Sequence, residues 1–546
     1  MTGTMSLRWL RPDRRSPPDR FNAASQTAPG SDGEAAPERQ HSLPGPAILK
    51  RRVDRAAIGL TALASAAYLW IALSVASKPY WMDEVLAVWT ARRDGVHGVW
   101  DALRQGAEFS PPLYHLMLQA ILAAGFDNPV LLRLPSILAI YVVALAAFVL
   151  VRRRFALPVA CLALVFCLSG PLFSYAVQAR QYACVAACFA LACTLWDGRA
   201  ERTVSGIRAL GIAVLLSLAI GMHFYAILLA AALGLMELGW MLRHRRVRWP
   251  IVLALLMAAA SLLLWLPIMQ AVSAYNLGDA AAPDYYARPT VERLFATYAV
   301  MLGGNGMLPP TPLAILLAGF CARVVARRRA SARAEDFGIL AAVLCMVPLL
   351  IFAFSALVTG TFNPRYVIVT AIGVSLIVAQ CVAANRHGDV IACGMIAASI
   401  AAFQIGGETA QPTRREMAID LVNHAPEGLP IATGNGLRFF ETYEGADRAV
   451  ARRLSFLKVP DLSRSPDPTN DHQVERWVNI NAELPVVSID RFLASNTEFL
   501  LFEEPKQPDM VPDYLRARGY VVTPIVERAS MSLTLVRRVV PNTGSQ

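Results

Sequence analysis

Asp83 and Glu84 are adjacent carboxylates, and Arg133, Arg180 and Arg365 are arginines, that the apolar pattern of this chain does not account for. Each lies beside a long apolar run, at the end where neighbouring loops carry almost no basic charge. His223 falls in a short break between two such runs. Ionisable groups near bilayer depth are costly unless they are paired or used. These residue types suit one chemistry. A guanidinium offers a planar fork of donors that matches phosphate oxygens and holds their charge as a bond breaks. A carboxylate close to a hydroxyl can take its proton. A phosphate leaves as a stable anion, so no general acid is obligatory.

Each residue also has a structural reading. Asp83 and Glu84 can cap a helix or sit in a surface loop. Arg180 and Arg365 can pair with those acids only to hold the fold. His223 can be a hydrogen-bonded packing residue at a turn, Tyr175 and Tyr182 can be interface aromatics, and Pro111-Pro112 can set a kink. The acid pair lacks the spacing of a metal motif, so no metal is assigned; a divalent cation is the only cofactor left open.

The elements that must position these residues are membrane helices. Of 546 residues, 55% are hydrophobic and 17% charged, against about 25% charged in an ordinary soluble domain. A crossing needs about 20 apolar residues. That ruler gives about eleven crossings: residues 56–77, 131–151, 157–175, 181–196, 206–222, 225–242, 250–270, 312–326, 337–358, 366–384 and 390–405. The net charge of +11 sits in short Arg clusters between the runs, which is the pattern of membrane topology and not of a nucleic-acid-binding face. With the N-terminus cytoplasmic, every inner connection carries basic residues: Arg152-Arg153-Arg154, Arg199 to Arg208, Arg243 to Arg248, Arg323 to Arg333, and Arg386 with His387. The expected location is therefore a bacterial cytoplasmic (inner) membrane, with the region from Gly406 to Gln546 outside.

Residues 1–47, rich in Pro, Arg, Ser, Asp and Gly, read as a disordered cytoplasmic tail. Residues 48–405 form the membrane domain. Its first outer loop is 78–130, with a surface-lying helix over the apolar stretch 112–125, and its second is 271–310. Residues 406–546 read as a small α/β domain, with strands at 429–433, 498–502, 520–526 and 531–537 and helices at 414–424 and 512–518. The nine cysteines all fall in apolar runs and read as small packing residues.

The order Asp83-Glu84, then Pro111-Pro112-Leu113-Tyr114, then Leu132-Arg133-Leu134-Pro135-Ser136 resembles the first outer loop and second helix of bacterial family-39-type glycosyltransferases. These are relatives of protein O-mannosyltransferases and lipid A aminoarabinose transferases, with the GT-C fold. Gln178-Ala179-Arg180-Gln181-Tyr182-Ala183, His223-Phe224-Tyr225-Ala226 and Asn363-Pro364-Arg365-Tyr366 resemble later signatures of that family, in the same order and on the expected outer face. The resemblance spans Tyr80 to Ile405. It implies a mainly α GT-C bundle, a polyprenyl-phosphate sugar donor, and a glycan, lipid or protein acceptor. It implies Asp83 as catalytic base with Glu84 beside it. It places Arg133, Arg180, Tyr182, Arg365, Tyr366, His223, His115 and Tyr114 around the donor's phosphate and lipid. Many relatives carry His or Lys directly before the double proline. Here that residue is Ser110, so His115 or Arg133 covers the phosphate, or donor handling differs. Two other classes stay open: a transporter or flippase of lipid-linked saccharides, and a non-catalytic relative that binds lipid or scaffolds a complex.

Overall fold

Long runs of Ala, Leu, Val and Ile set between Pro, Gly and Asn punctuate this chain into helices, several of which open at a side-chain cap such as Asn128, Ser205 or Thr290 that accepts from a free amide of the first turn. A computed structural model describes residues 46–197, 204–281, 285–302, 332–405, 412–460, 468–504, 510–528 and 531–538. The helices begin with α1 (Pro46–Ala76), α2 (Met82–Ala91), α3 (Gly95–Arg104), α4 (Leu113–Ala123), α5 (Pro129–Arg152), α6 (Leu157–Ser169), α7 (Phe173–Ala176), α8 (Tyr182–Trp196), α9 (Gly206–Met222) and α10 (Ala226–His244). They continue with α11 (Trp249–Ala260), α12 (Leu266–Ala281), α13 (Val291–Met301), α14 (Ala332–Phe354), α15 (Thr370–Ala383) and α16 (Gly388–Ile405). At α5, Asn128 caps by accepting from the Leu131 amide at 3.0 Å, and Pro129 takes the first helical position.

Among the described residues, five helical stretches are long and apolar enough to cross a membrane: 47–76, 129–152, 226–244, 249–275 and 337–359. The first and fourth are the least buried of these, 22% each, and Trp70, Leu63 and Leu263 lie exposed on them. A helix with an apolar outer face of this kind suits contact with lipid. The helices at 157–169, 182–196, 206–222, 370–383 and 388–402 are apolar but shorter. Of these, α6 is buried from Pro158 to Ser169, so its irregular ends rest on protein, where free backbone groups find partners. The expected crossing at 250–270 lies within the stretch 249–275, which carries a 3-10 segment at Ser261–Trp265; that at 157–175 is interrupted by a turn before α7, and that at 366–384 opens in the 3-10 turn Pro364–Val367. The expected crossing at 312–326, and the tail up to residue 45, lie outside the described residues.

The C-terminal part holds α17 (Arg414–Asn423), β1 (Ile431–Thr433), α18 (Gly436–Gly445), α19 (Arg448–Ala451), β2 (Leu454–Lys458), α20 (Pro468–Ile480), β3 (Val486–Ser488) and α21 (Ile489–Ser495). It ends with β4 (Glu498–Glu503), α22 (Val511–Ala517), β5 (Tyr520–Arg528) and β6 (Met531–Arg538). The six strands form one sheet in the order β3-β2-β1-β4-β6-β5. The first four are parallel and the β5-β6 hairpin is antiparallel. The chain order reverses between β1 and β4, where open parallel sheets usually leave a ligand crevice. Here Arg438 of α18 fills it, donating to Glu504 at 2.6 Å and pairing with Glu441.

The described residues from Lys50 onward pack as one compact unit. The sheet domain docks through α18 onto α2. The Met82 amide donates to Glu441 at 3.3 Å, Trp89 Nε1 donates to Glu444 at 2.7 Å, and Arg92 pairs with Glu444 at 2.8 Å. The Trp89 ring meets Phe440, Tyr443 and Trp477 edge-on, with centroids 5.5, 6.0 and 5.3 Å away.

Candidate active site

Asp83 stands in the first turn of α2, where the helix dipole favours a carboxylate. Its carboxylate is 20% exposed and lies between two cations: Arg365 Nη1 is in contact, and Arg180 Nη2 is 3.6 Å away. Burial pushes the Asp83 carboxyl up, but Arg365 and Arg180 together outweigh it and hold the group below the usual carboxylate range. Arg180 sits in the turn between α7 and α8, and Ser136 of α5 donates to its carbonyl at 3.2 Å. Its Nη1 donates to the Asp83 carbonyl at 2.6 Å. Arg365 occupies the 3-10 turn Pro364–Val367, capped by Asn363, which accepts from the Arg365 amide at 3.2 Å. Arg365 Nη2 also donates to the hydroxyl of the exposed Tyr286 at 3.4 Å.

One wall of the site is aromatic. Tyr225 stacks on Tyr366 with centroids 4.5 Å apart, and His223 lies 5.1 Å from Tyr366 and 5.4 Å from Tyr182. The guanidiniums of Arg180 and Arg365 lie over the Tyr182 ring at 5.5 and 5.6 Å, a cation–π arrangement. His223 follows the end of α9, and its Nδ1 accepts from the Tyr225 amide at 3.2 Å. Burial, reinforced by Arg365 and Arg180, pushes its pKa down to about 3. The imidazole is therefore neutral, with its proton on Nε2, and acts as a donor.

The structure separates the two adjacent acids. Glu84 is 1% exposed and pairs with Arg133, itself 0% exposed, through two contacts of 2.7 Å. Arg133 also donates to the carbonyls of Ala76 at 2.8 Å, Lys78 at 2.5 Å and Pro79 at 3.1 Å. Glu84 accepts from the Ala179 amide at 2.6 Å and the Trp81 amide at 3.1 Å. This knot ties the end of α1, the start of α2, α5 and the Arg180 turn together. Glu84 and Arg133, expected beside the base and at the phosphate, are here bonded to each other and to backbone groups. Tyr114 and His115 both have no exposed surface, and their rings lie 6.3 Å apart.

Glu108 is the residue that sequence reasoning missed. It is 6% exposed, with its carboxylate 2.5 Å from Arg180 Nη1 and 3.3 Å from His115 Nε2. The His115 ring reaches Ser110 Oγ at 3.0 Å, which brings an imidazole to the position before Pro111. The signal was present as an isolated acid two residues before Ser110, in an outer loop otherwise read only for its prolines. Among the described residues no three His, Cys, Asp or Glu side chains come together as metal ligands.

No protein-family model matches this sequence, and no curated protein matches it. The structure is similar to ArnT from Cupriavidus metallidurans in the apo state, with a TM-score of 0.55 at 15% identity, covering 88% of this chain and 98% of that one. It is similar to the same protein bound to undecaprenyl phosphate, with a TM-score of 0.54 at 14% identity, covering 89% and 99%. The Archaeoglobus fulgidus oligosaccharyltransferase AglB, in complex with an inhibitory peptide and a dolichol-phosphate, aligns with a TM-score of 0.43 at 11% identity, covering 79% and 64%. The chain thus has the GT-C fold of ArnT: a helical membrane bundle carrying a small mixed sheet.

Proposed function

We propose that this chain is a membrane glycosyltransferase that takes a sugar from a polyprenyl-phosphate carrier on the outer face of the membrane. The observation that carries the reading is the placing of a partly exposed carboxylate, Asp83, between Arg365 and Arg180 beside an aromatic wall. The ArnT fold, solved with undecaprenyl phosphate bound, supports a lipid-phosphate donor.

In this reading Arg365 and Arg180 receive the donor's phosphate. The phosphate competes with Asp83 for the same guanidiniums and frees the carboxylate at the moment it is needed. Asp83 then takes the proton of an acceptor hydroxyl. The acceptor oxygen bonds to the anomeric carbon, the bond from that carbon to the phosphate oxygen breaks, and polyprenyl phosphate leaves with the electron pair. Attack opposite the leaving group inverts the anomeric centre. Neutral His223 offers Nε2–H to a sugar or phosphate oxygen, and Tyr182 and Tyr366 offer ring faces to the sugar or the first isoprene units. His115, fully buried, bridges Glu108 and Ser110 and supports the loop before Pro111 from behind. The acceptor is a hydroxyl of an envelope glycan, lipid or protein.

Competition for the arginines gives the test. Undecaprenyl phosphate binding to the purified chain is measured by native mass spectrometry. Arg365→Gln weakens it by about tenfold or more, the cost of one charge-assisted contact. Asp83→Asn binds at least as tightly as wild type, because the competing carboxylate is gone. Weakened binding by Asp83→Asn together with unchanged binding by Arg365→Gln contradicts the assignment.

A further inference from the structure

The sheet domain reaches the site a second time, through α20. Gln473 is 6% exposed, and its Nε2 donates to two carbonyls of the loop between α3 and α4: Gly106 at 3.1 Å and Ala107 at 2.7 Å. Arg476 donates to Gln473 Oε1 at 3.0 Å, which fixes the carboxamide with its nitrogen toward the loop. Trp477 Nε1 adds a third bond to the Ala107 carbonyl at 3.3 Å. The amides of this loop are already used: Gly106 donates to Leu103 at 3.0 Å and Ala107 to Ala102 at 3.0 Å. For these two residues the carbonyls are left for outside partners, and the sheet domain supplies them.

The backbone leaves little freedom here. Gly106 has φ +84°, and a Cβ on it would lie 3.0 Å from the Tyr275 ring and 3.3 Å from Arg476 Cδ. The Arg476 guanidinium covers Phe109 at 5.1 Å and Tyr275 at 4.9 Å. Glu108, between Ala107 and Phe109, is therefore gripped on both sides by α20. Its carboxylate lies 2.5 Å from Arg180 Nη1 as an ion pair, beside the Asp83 carbonyl to which that nitrogen donates at 2.6 Å.

We infer that Gln473 is a positioning residue: by seating the Gly106-Ala107 carbonyls it aims Glu108 at Arg180, and so sets the Arg180 fork that faces Asp83. The sheet domain is then a working part of the site, and this role rests on the reading of Arg180 as a phosphate ligand. Gln473→Leu removes both donors at nearly constant volume. Gln473→Leu and Glu108→Gln each weaken undecaprenyl phosphate binding by about tenfold, because Glu108 lies on the Nη1 side and orients the fork, whereas Asp83 lies on the Nη2 side and competes with the phosphate. The double variant is no weaker than Glu108→Gln alone, because Gln473 acts through Glu108.

Binding is read on the full chain in detergent, with Tm measured in parallel. A residue that merely stabilised the domain interface would lower Tm and would add its effect to that of Glu108→Gln. Trp477→Phe, which keeps the ring and loses one bond to Ala107, gives the same pattern at smaller amplitude and serves if Gln473→Leu does not fold. Gln473→Leu and Trp477→Phe binding like wild type, or losses that multiply in the double variant, overturn the inference alone. A wild-type chain that does not bind undecaprenyl phosphate overturns the functional reading and this inference with it.

Discussion

Adjacent acids with opposite roles make a sharp prediction about Glu84. Its carboxylate is 1% exposed and shares two contacts of 2.7 Å with Arg133, which is 0% exposed. Glu84→Gln keeps the shape but leaves the Arg133 guanidinium buried without its counter-charge. Breaking a buried pair from one side costs about 3–5 kcal/mol, a large part of the roughly 5–15 kcal/mol net stability of a folded protein. Arg133→Met should cost at least as much, because it also leaves the carbonyls of Ala76, Lys78 and Pro79 unserved. Asp83→Asn, one residue away but 20% exposed, should cost less, about 1–2 kcal/mol, because Arg180 keeps Glu108 and Arg365 keeps the Tyr286 hydroxyl. The assay is thermal unfolding in detergent followed by tryptophan fluorescence, with folded yield after extraction as a second readout. Glu84→Gln as stable as wild type, or Asp83→Asn as damaging as Glu84→Gln, would refute the division of labour.

Other predictions follow from the same geometry. The folded pKa of Asp83 is depressed, so its ionised form persists to lower pH than a free aspartate, and the acid limb of kcat/KM lies below the ordinary carboxylate range. Arg365→Gln removes a lowering charge and should move that limb to higher pH; a pH profile that stays in place contradicts Asp83 as the titrating base. Gly106→Ala places a Cβ at φ +84° against Tyr275 and Arg476 and should cost about 1–2 kcal/mol by thermal unfolding. An alkaline phosphatase fusion after Gly406 should be active and one in the loop from Arg243 to Arg248 inactive; the reverse pattern would put the site on the wrong side of the membrane.

Much of this arrangement was legible because hydropathy and charge act locally. The apolar runs ending at Val151, Met222 and Ala384 correspond to α5, α9 and α15, since 3.6-residue geometry and lipid-sized length are written in consecutive residues. The strands β1, β4, β5 and β6 were visible for the same reason. The strands β2 and β3 were not: what makes them strands is parallel pairing, β2 with β1 and β3 with β2, which only the assembled sheet supplies. At the site, Asp83, Arg180, Tyr182, His223, Arg365 and Tyr366 do come together. The partner of each charge was not readable. Glu84 and Arg133 meet across 49 positions, and Glu108 meets Arg180 through a loop shaped by Gln473. Such pairings depend on tertiary placement, which spacing along the chain does not encode.

The central claim is that Asp83 performs transfer chemistry, and envelope glycans report it directly. Mass spectrometry compares three strains: a deletion, the deletion carrying the wild-type protein, and the deletion carrying Asp83→Asn at equal membrane abundance. One sugar mass should be missing from the deletion, restored by wild type and still missing with Asp83→Asn. Full restoration by Asp83→Asn would contradict it.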